Sequence, residues 1–417
     1  MAFGRTALLV AVTAAAVLVL PGILKPKLPE SVSGYTAKGW EPVGNVFRQH
    51  VKDGTEKGGA IAVYHKGELV VEYSGGYADE EAEWPWNKDT LNCFFSSTKG
   101  VSAIVVAMLV DRGLIEYDKA VATYWPEFAQ NGKEKITVRQ ILSHTAGLAW
   151  IDEPFNVEDI LKNPTKVSDA LAKQKPNWEP GSQHGYHALT IGMYIDQLVR
   201  RVDKKHRDLA QFFSEEVAKP HGIDFFIGLP FEENYRCARL KDASLLETVL
   251  HGNLKWAYQI VLLMVNADSG ISKAINNPSG FSIPRCNDPR LRAIPCGASR
   301  GFGTAIGLAK LYSMVAAGKL MSRKVLDNMI IPRAGPGIDR IIPMNLTYAS
   351  GLNLYPTKLG STLYGTPGAG GQMGVMDPKY ELSMAYSTNY HQLVQVLDDR
   401  RWTDLVDAVY DVLKNIQ

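Results

Sequence analysis

The chain reads as strand near its two ends and helix in between, and this arrangement narrows the possible folds more than any other property of the sequence. Ala60–His65 and Glu68–Ser74 flank the turn Lys66-Gly67 as two apolar β-segments, the pattern of a hairpin. Strand-like runs return at Ser350–Tyr355, Ser361–Tyr364, Gln372–Met376 and Leu382–Ser387, and a closing helix spans Trp402–Ile416. From about residue 118 to 330, Pro and Gly punctuate helical segments: Val138–Ser143, Leu189–Val202, Leu209–Val217, Leu246–Val265 and Gly303–Ala317. Strands so far apart in sequence share one layer only if the two ends of the chain meet. The expected fold is therefore α/β of the α+β type: an antiparallel sheet built from both chain ends, flanked by helices, with a mostly helical lobe (118–330) inserted. A cleft between sheet and lobe is the natural place for a site.

The 45 basic residues nearly cancel the 43 acidic ones, so nothing marks a nucleic-acid partner or a basic membrane-surface patch. The N-terminus differs. Arg5 precedes the apolar run Thr6–Leu20, which Pro21-Gly22-Ile23-Leu24 extends to Lys25 and Lys27. A basic start and a short apolar stretch make a secretory leader. The small residues Ala14–Ala16 lie mid-run rather than at its end, so an uncleaved membrane anchor fits equally. Residues 1–24 are thus expected to be a signal peptide or anchor, 25–43 a lead-in linker, and 44–417 one domain. The implied location is the secretory pathway, secreted or held at a membrane by the N-terminal segment only. In an oxidising lumen Cys286 and Cys296 could pair, whereas Cys93 and Cys237 read as small buried residues. The sequon Asn345-Leu346-Thr347 is compatible with N-glycosylation there.

Acyl transfer by serine needs a hydroxyl, a nearby base and donors for the oxyanion. Ser96-Ser97-Thr98-Lys99 places a serine and a lysine three apart on one helix face, at the start of the apolar run Val101–Val110 that ends at Gly113. The hydroxyl sits at the positive end of the helix dipole. A lysine buried there has its ammonium form disfavoured and can serve as a base near neutrality. The bland alternative is an N-capping serine with a solvated lysine, against which the apolar flanks on both sides weigh.

Phe94–Gly100 resembles the first motif of the class C β-lactamase-related family, which also holds serine esterases, D-amino-acid peptidases and the metazoan β-lactamase-like proteins. Four more segments match in order. Ile136–Leu148 resembles the post-motif helix and HTSGL turn, and Trp178-Glu179-Pro180-Gly181 with Tyr186-His187-Ala188 resembles the second motif. Ser299–Tyr312 resembles the late helix, and Gly365–Gly371 the third motif. The resemblance runs from about Gly44 to the end and implies a β-lactamase/transpeptidase-like fold and penicillin-binding-protein-like chemistry. It implies Ser96 as acyl acceptor, Lys99 as its proton acceptor or relay, and Tyr186 as the phenol that passes a proton to the leaving group. The implied oxyanion hole is the backbone N–H of Ser96 with that of Ala369, on the strand after the third motif. Gly368, Thr366 and Ala188 fall at substrate-binding positions.

Two departures shape the substrate. Ala188 stands where the family often has Asn or Ser to hold an amide, and Thr366 where a Lys or His steers a carboxylate. A neutral ester, amide or small peptide is the expected acyl substrate, with no cofactor. Alternatively, the same scaffold could serve as a catalytically weak binding or assembly protein. Gly297-Ala298-Ser299-Arg300-Gly301 formally matches a nucleophile elbow, but the proline-broken segment before it is no strand. His184 and His187 lack the carboxylate and register of a zinc site, so no metal is expected.

Overall fold

The computed structural model describes residues 31–243, 254–279, 284–392 and 398–416. The leader, the start of the lead-in and the first part of the expected helix Leu246–Val265 lie outside the described residues. Val32–Gln417 forms one compact unit.

Both chain ends contribute to one antiparallel sheet. Its strands are β1 (Val32–Thr36), β2 (Gly58–His65), β3 (Glu68–Asp79), β4 (Ala334–Ile338), β5 (Asn345–Tyr348), β6 (Asn353–Pro356), β7 (Thr362–Pro367), β8 (Met373–Asp377) and β9 (Leu382–Thr388). They lie in the order β1-β3-β2-β9-β8-β7-β6-β5-β4, with the short strand Trp84–Pro85 beside β3. The seam between the two ends is β2 against β9, from Gly59 opposite Thr388 to His65 opposite Leu382. Side chains alternate across the sheet with the period of two that a strand imposes. Ala60, Ala62 and Tyr64 of β2 face the larger core, while Ile61 and Val63 face the smaller one.

The smaller core is closed by α1 (Glu41–Lys52) and the C-terminal helix α4 (Arg400–Ile416), through Val43, Phe47, Trp402, Leu405 and Val409. On the other face lie α2 (Thr98–Asp111) and α3 (Ala305–Ala316), then the lobe. Every residue of α2 from Thr98 to Leu109 is buried, which is why the sequence is apolar all round there.

Two expectations need correction. Val32–Thr36, read as linker, pairs with β3 as an edge strand. The possible Cys286–Cys296 disulfide is absent: all four cysteines are buried thiols. Cys286 packs with Cys93 and Cys237, whereas Cys296 belongs to the main core. The inserted lobe is mostly helical, as expected, and also carries a small second sheet in which Phe225–Ile227 pairs with Gly301–Gly303 and Asn92–Cys93 joins them. Among the described residues, no helix is long and apolar enough to cross a membrane.

Candidate active site

A 3-10 turn, Phe95–Ser97, delivers the chain from the small second sheet into α2. Phe95 takes φ +43°, in the left-handed region where an aromatic side chain is strained by about 1–3 kcal/mol. Packing holds it there: its side chain is buried in the cluster that contains Cys93 and Phe302. Ser96 follows, the one half-buried residue in an otherwise buried run from Leu91 to Gly100.

Lys99 is 1% exposed. Its ammonium nitrogen lies 3.0 Å from Ser96 Oγ and donates to the Ala298 carbonyl at 2.8 Å. Burial dominates its electrostatics and pulls its pKa from the ordinary 10.5 down to about 7. Tyr186 reaches the same oxygen from the lobe, its phenol donating to Ser96 Oγ at 2.7 Å. Lys99 Nζ stands 4.7 Å from the centre of the Tyr186 ring. Burial pushes the Tyr186 phenol well above its ordinary value; the hydrogen bond to Ser96 opposes this and the Asp339 carboxylate reinforces it. Two side chains thus converge on the Ser96 hydroxyl: an amine poised near neutrality and a phenol that stays protonated.

The backbone around this turn is held by the segment that formally matches a nucleophile elbow. Gly297–Gly301 runs along the first turn of α2. Its Gly297 carbonyl accepts from Ser102 Oγ, the Gly301 N–H donates to Thr98 Oγ1, and the Gly301 carbonyl accepts from the Phe94 N–H. A Cβ on Gly297 would meet Ser102 Oγ at 2.6 Å, and one on Gly301 would meet Thr98 Oγ1 at 2.5 Å. A strand follows Gly301 rather than a helix, so the nucleophile-elbow reading is excluded.

The second-motif loop is tied to the turn after Val138–Leu142. His144, itself at φ +59°, accepts the His187 N–H at its Nδ1 and the Gly185 N–H at its carbonyl. His187 in turn accepts the Leu148 N–H at Nε2, which puts its own proton on Nδ1, facing the Gly185 carbonyl at 2.6 Å. Burial pushes His187 down to about 4 and holds His144 well below its ordinary value. Both histidines are neutral props for the Tyr186 loop, and His184 likewise meets the Gly337 carbonyl.

The third motif meets the first through glycine. A Cβ on Gly368 would lie 2.2 Å from the Phe94 carbonyl, so only glycine lets the end of β7 sit against the nucleophile turn. Ala369 stands exposed in the turn that follows β7, not on a strand as expected. Thr366 is buried and gives its hydroxyl to the Gly351 carbonyl at 3.4 Å, and Ala188 packs beside Trp178 and Ile271. Neither offers a free polar group. Asn345 is exposed on β5, and no group of metal-ligating side chains occurs among the described residues.

Asp339 went unread in the sequence. It is buried, and it accepts the Tyr186 N–H at 3.0 Å and the Tyr348 phenol at 3.0 Å. Nothing in its neighbourhood, a Gly/Pro-rich hairpin, distinguishes it from a solvated turn residue.

Comparison with known proteins identifies the family. The pattern of the family described as Beta-lactamase matches residues 43–408. The esterase/beta-lactamase LipL of Mycobacterium tuberculosis is 32% identical over 350 residues, covering 82% of this chain and 78% of that protein. Among solved structures, a family VIII carboxylesterase is 32% identical with a TM-score of 0.80, over 92% of this chain and all of the other. A penicillin-binding-protein homologue from Caulobacter crescentus, 29% identical, superposes with a TM-score of 0.77 over the same shares.

Proposed function

Because the chain belongs to the beta-lactamase family of serine hydrolases, we propose that Ser96, Lys99 and Tyr186 carry out acyl transfer to water from an uncharged ester. The observation that carries the proposal is the convergence of Lys99 Nζ and Tyr186 Oη on Ser96 Oγ, at 3.0 and 2.7 Å. Neutral Lys99 takes the hydroxyl proton as Ser96 Oγ attacks the acyl carbon. The backbone N–H groups of Ser96 and Ala369 receive the developing oxyanion. The phenol of Tyr186 supplies the leaving alkoxide with a proton, and the proton on Lys99 restores the phenol. Water then repeats the sequence on the acyl-enzyme and frees the acid.

An ester without a carboxylate is favoured by the site's own charges. Thr366 supplies no cation, and Lys99 loses its charge through the neutral pH range. The names of the esterase relatives agree with this choice. The apolar run at residues 6–24 further supports a leader or anchor on the secretory route, which carbonate extraction and glycosidase treatment at Asn345 would test.

The decisive experiment is a fluorophosphonate probe with adduct mapping, beside p-nitrophenyl ester turnover. The adduct is expected on Ser96, and Ser96→Ala is expected to abolish turnover. Undiminished turnover in Ser96→Ala would overturn the assignment.

A further inference from the structure

We infer that Asp339 is a positioning residue for Tyr186: its carboxylate ties the β4–β5 hairpin to the backbone of the second-motif loop and so sets where the phenol meets Ser96. The inference rests on the roles proposed above for Ser96 and Tyr186.

Asp339 follows the last residue of β4 and is 4% exposed. Among the described residues it forms no ion pair, so hydrogen-bond donors alone replace its lost hydration. Oδ1 accepts three backbone N–H groups, from Ile341 at 2.8 Å, Ile342 at 3.1 Å and Tyr186 at 3.0 Å. Oδ2 accepts the Tyr348 phenol at 3.0 Å. The two isoleucine bonds are local, of the kind any aspartate at a turn can make. The other two are not. Tyr186 comes from the lobe, and the ring of Tyr348 packs on His144 at 4.6 Å and on the edge of His184 at 5.7 Å.

The hairpin therefore grips the Tyr186 loop at successive residues. The His184 ring meets the Gly337 carbonyl at 3.2 Å, the Arg340 N–H donates to the His184 carbonyl at 3.2 Å, and Asp339 takes the Tyr186 N–H. From the other side, His144 holds Gly185 and His187. The Tyr186 amide is fixed between the two, and its side chain spans from that point to Ser96 Oγ. A hydrogen bond weakens steeply as its geometry slips, so a shift of this amide is felt at the nucleophile. The alternative is that Asp339 only closes its own turn.

A double-mutant cycle separates the two. Asp339→Ala and Asp339→Ser are made in the full chain, in wild-type and Tyr186→Phe backgrounds. The serine hydroxyl still caps the local turn but falls one bond short of the Tyr186 amide, so this variant is informative if the alanine one does not fold. Turnover of p-nitrophenyl acetate is measured per fluorophosphonate-titrated site, beside thermal denaturation. Loss of kcat of roughly 10- to 100-fold with little change in KM is expected in the wild-type background, with little further loss once Tyr186 is phenylalanine. Asp339→Asn keeps the Oδ1 acceptor and is expected to restore most of kcat. Losses that multiply in the Tyr186→Phe background, or a fall in melting temperature with kcat per site unchanged, would overturn the inference. Ser96→Ala distinguishes this failure from that of the parent reading. If that control is inactive while Asp339→Ser is unimpaired, only the role of Asp339 falls; if it remains active, the assignment of the site falls.

Discussion

Replacing Lys99 by methionine should make the protein more stable and nearly inactive at once. Burial takes the Lys99 amine from 10.5 to about 7, a shift that at 1.36 kcal/mol per unit amounts to ~5 kcal/mol between its two protonation states. An ordinary lysine is neutral in about one molecule in 3000 at pH 7, whereas Lys99 is neutral in about half. That gain is what the nucleophile uses, and it is drawn from folding. Because the folded value lies below the unfolded one, the unfolded chain binds more protons between pH 7 and 10.5. The contribution of Lys99 to stability therefore rises with pH across that window, and its destabilising effect is complete below about pH 7. Methionine fills similar space without the charge but leaves the Ala298 carbonyl without its donor, a loss of about 1–3 kcal/mol. A net gain of ~2–4 kcal/mol is expected at pH 7, shrinking toward pH 10. Turnover should fall by about 10²- to 10⁴-fold for loss of the base. The wild-type kcat/KM should decline tenfold per pH unit below about 7. Chemical denaturation at pH 7 and pH 10, with ester kinetics from pH 5 to 9, tests both halves. A methionine variant that is less stable at pH 7, or a wild-type activity unchanged down to pH 5, would refute the reasoning.

Tyr186→Phe removes the donor 2.7 Å from Ser96 Oγ but keeps the ring, so kcat should drop by about 10²-fold or more with a nearly unchanged melting temperature. Gly368→Ala sets a methyl group 2.2 Å from the Phe94 carbonyl, which must displace the nucleophile turn; at least about tenfold loss in fluorophosphonate labelling rate is expected, with the backbone fold retained by circular dichroism. Lys133 is buried and donates to the carbonyls of Gln130, Ala172 and Gln174, with its pKa lowered to about 8 by burial. Lys133→Met orphans these three acceptors, and denaturant titration should show destabilisation of about 2–4 kcal/mol with little effect on kcat per titrated site.

The main strands and helices were legible because their apolar spacing is dictated by burial on one or both faces. β1 and β4 escaped for the converse reason: they are edge strands, largely exposed, and β4 is Ala-Gly-Pro-Gly-Ile, whose proline and glycines mimic a loop. Gly303 reads as the start of a helix, yet it ends the strand Gly301–Gly303, whose glycines are demanded by close contact with Phe225 and Thr98. At the site, Ser96, Lys99 and Tyr186 carry distinctive side chains at fixed spacings and could be found. The Ala298 carbonyl that holds Lys99 could not, since a backbone acceptor has no signature in sequence. Asp339 was hidden because a turn aspartate is usually solvated, and only the tertiary approach of the Tyr186 loop buries it. His187, which carries no signal of its role in the sequence, is a neutral scaffold group.

The seam between β2 and β9 has a consequence for how such a protein comes into being. Ser96 and Lys99 emerge early in synthesis, but the strands that seat their turn are made last, and β9 must reach back to β2 before the sheet is whole. Pairings of such long range close slowly, and they hold the early strands waiting with open edges. Ser96 is therefore expected to gain its reactivity only once the C-terminal strands are made, which loss of fluorophosphonate labelling on a chain truncated before β7 would check.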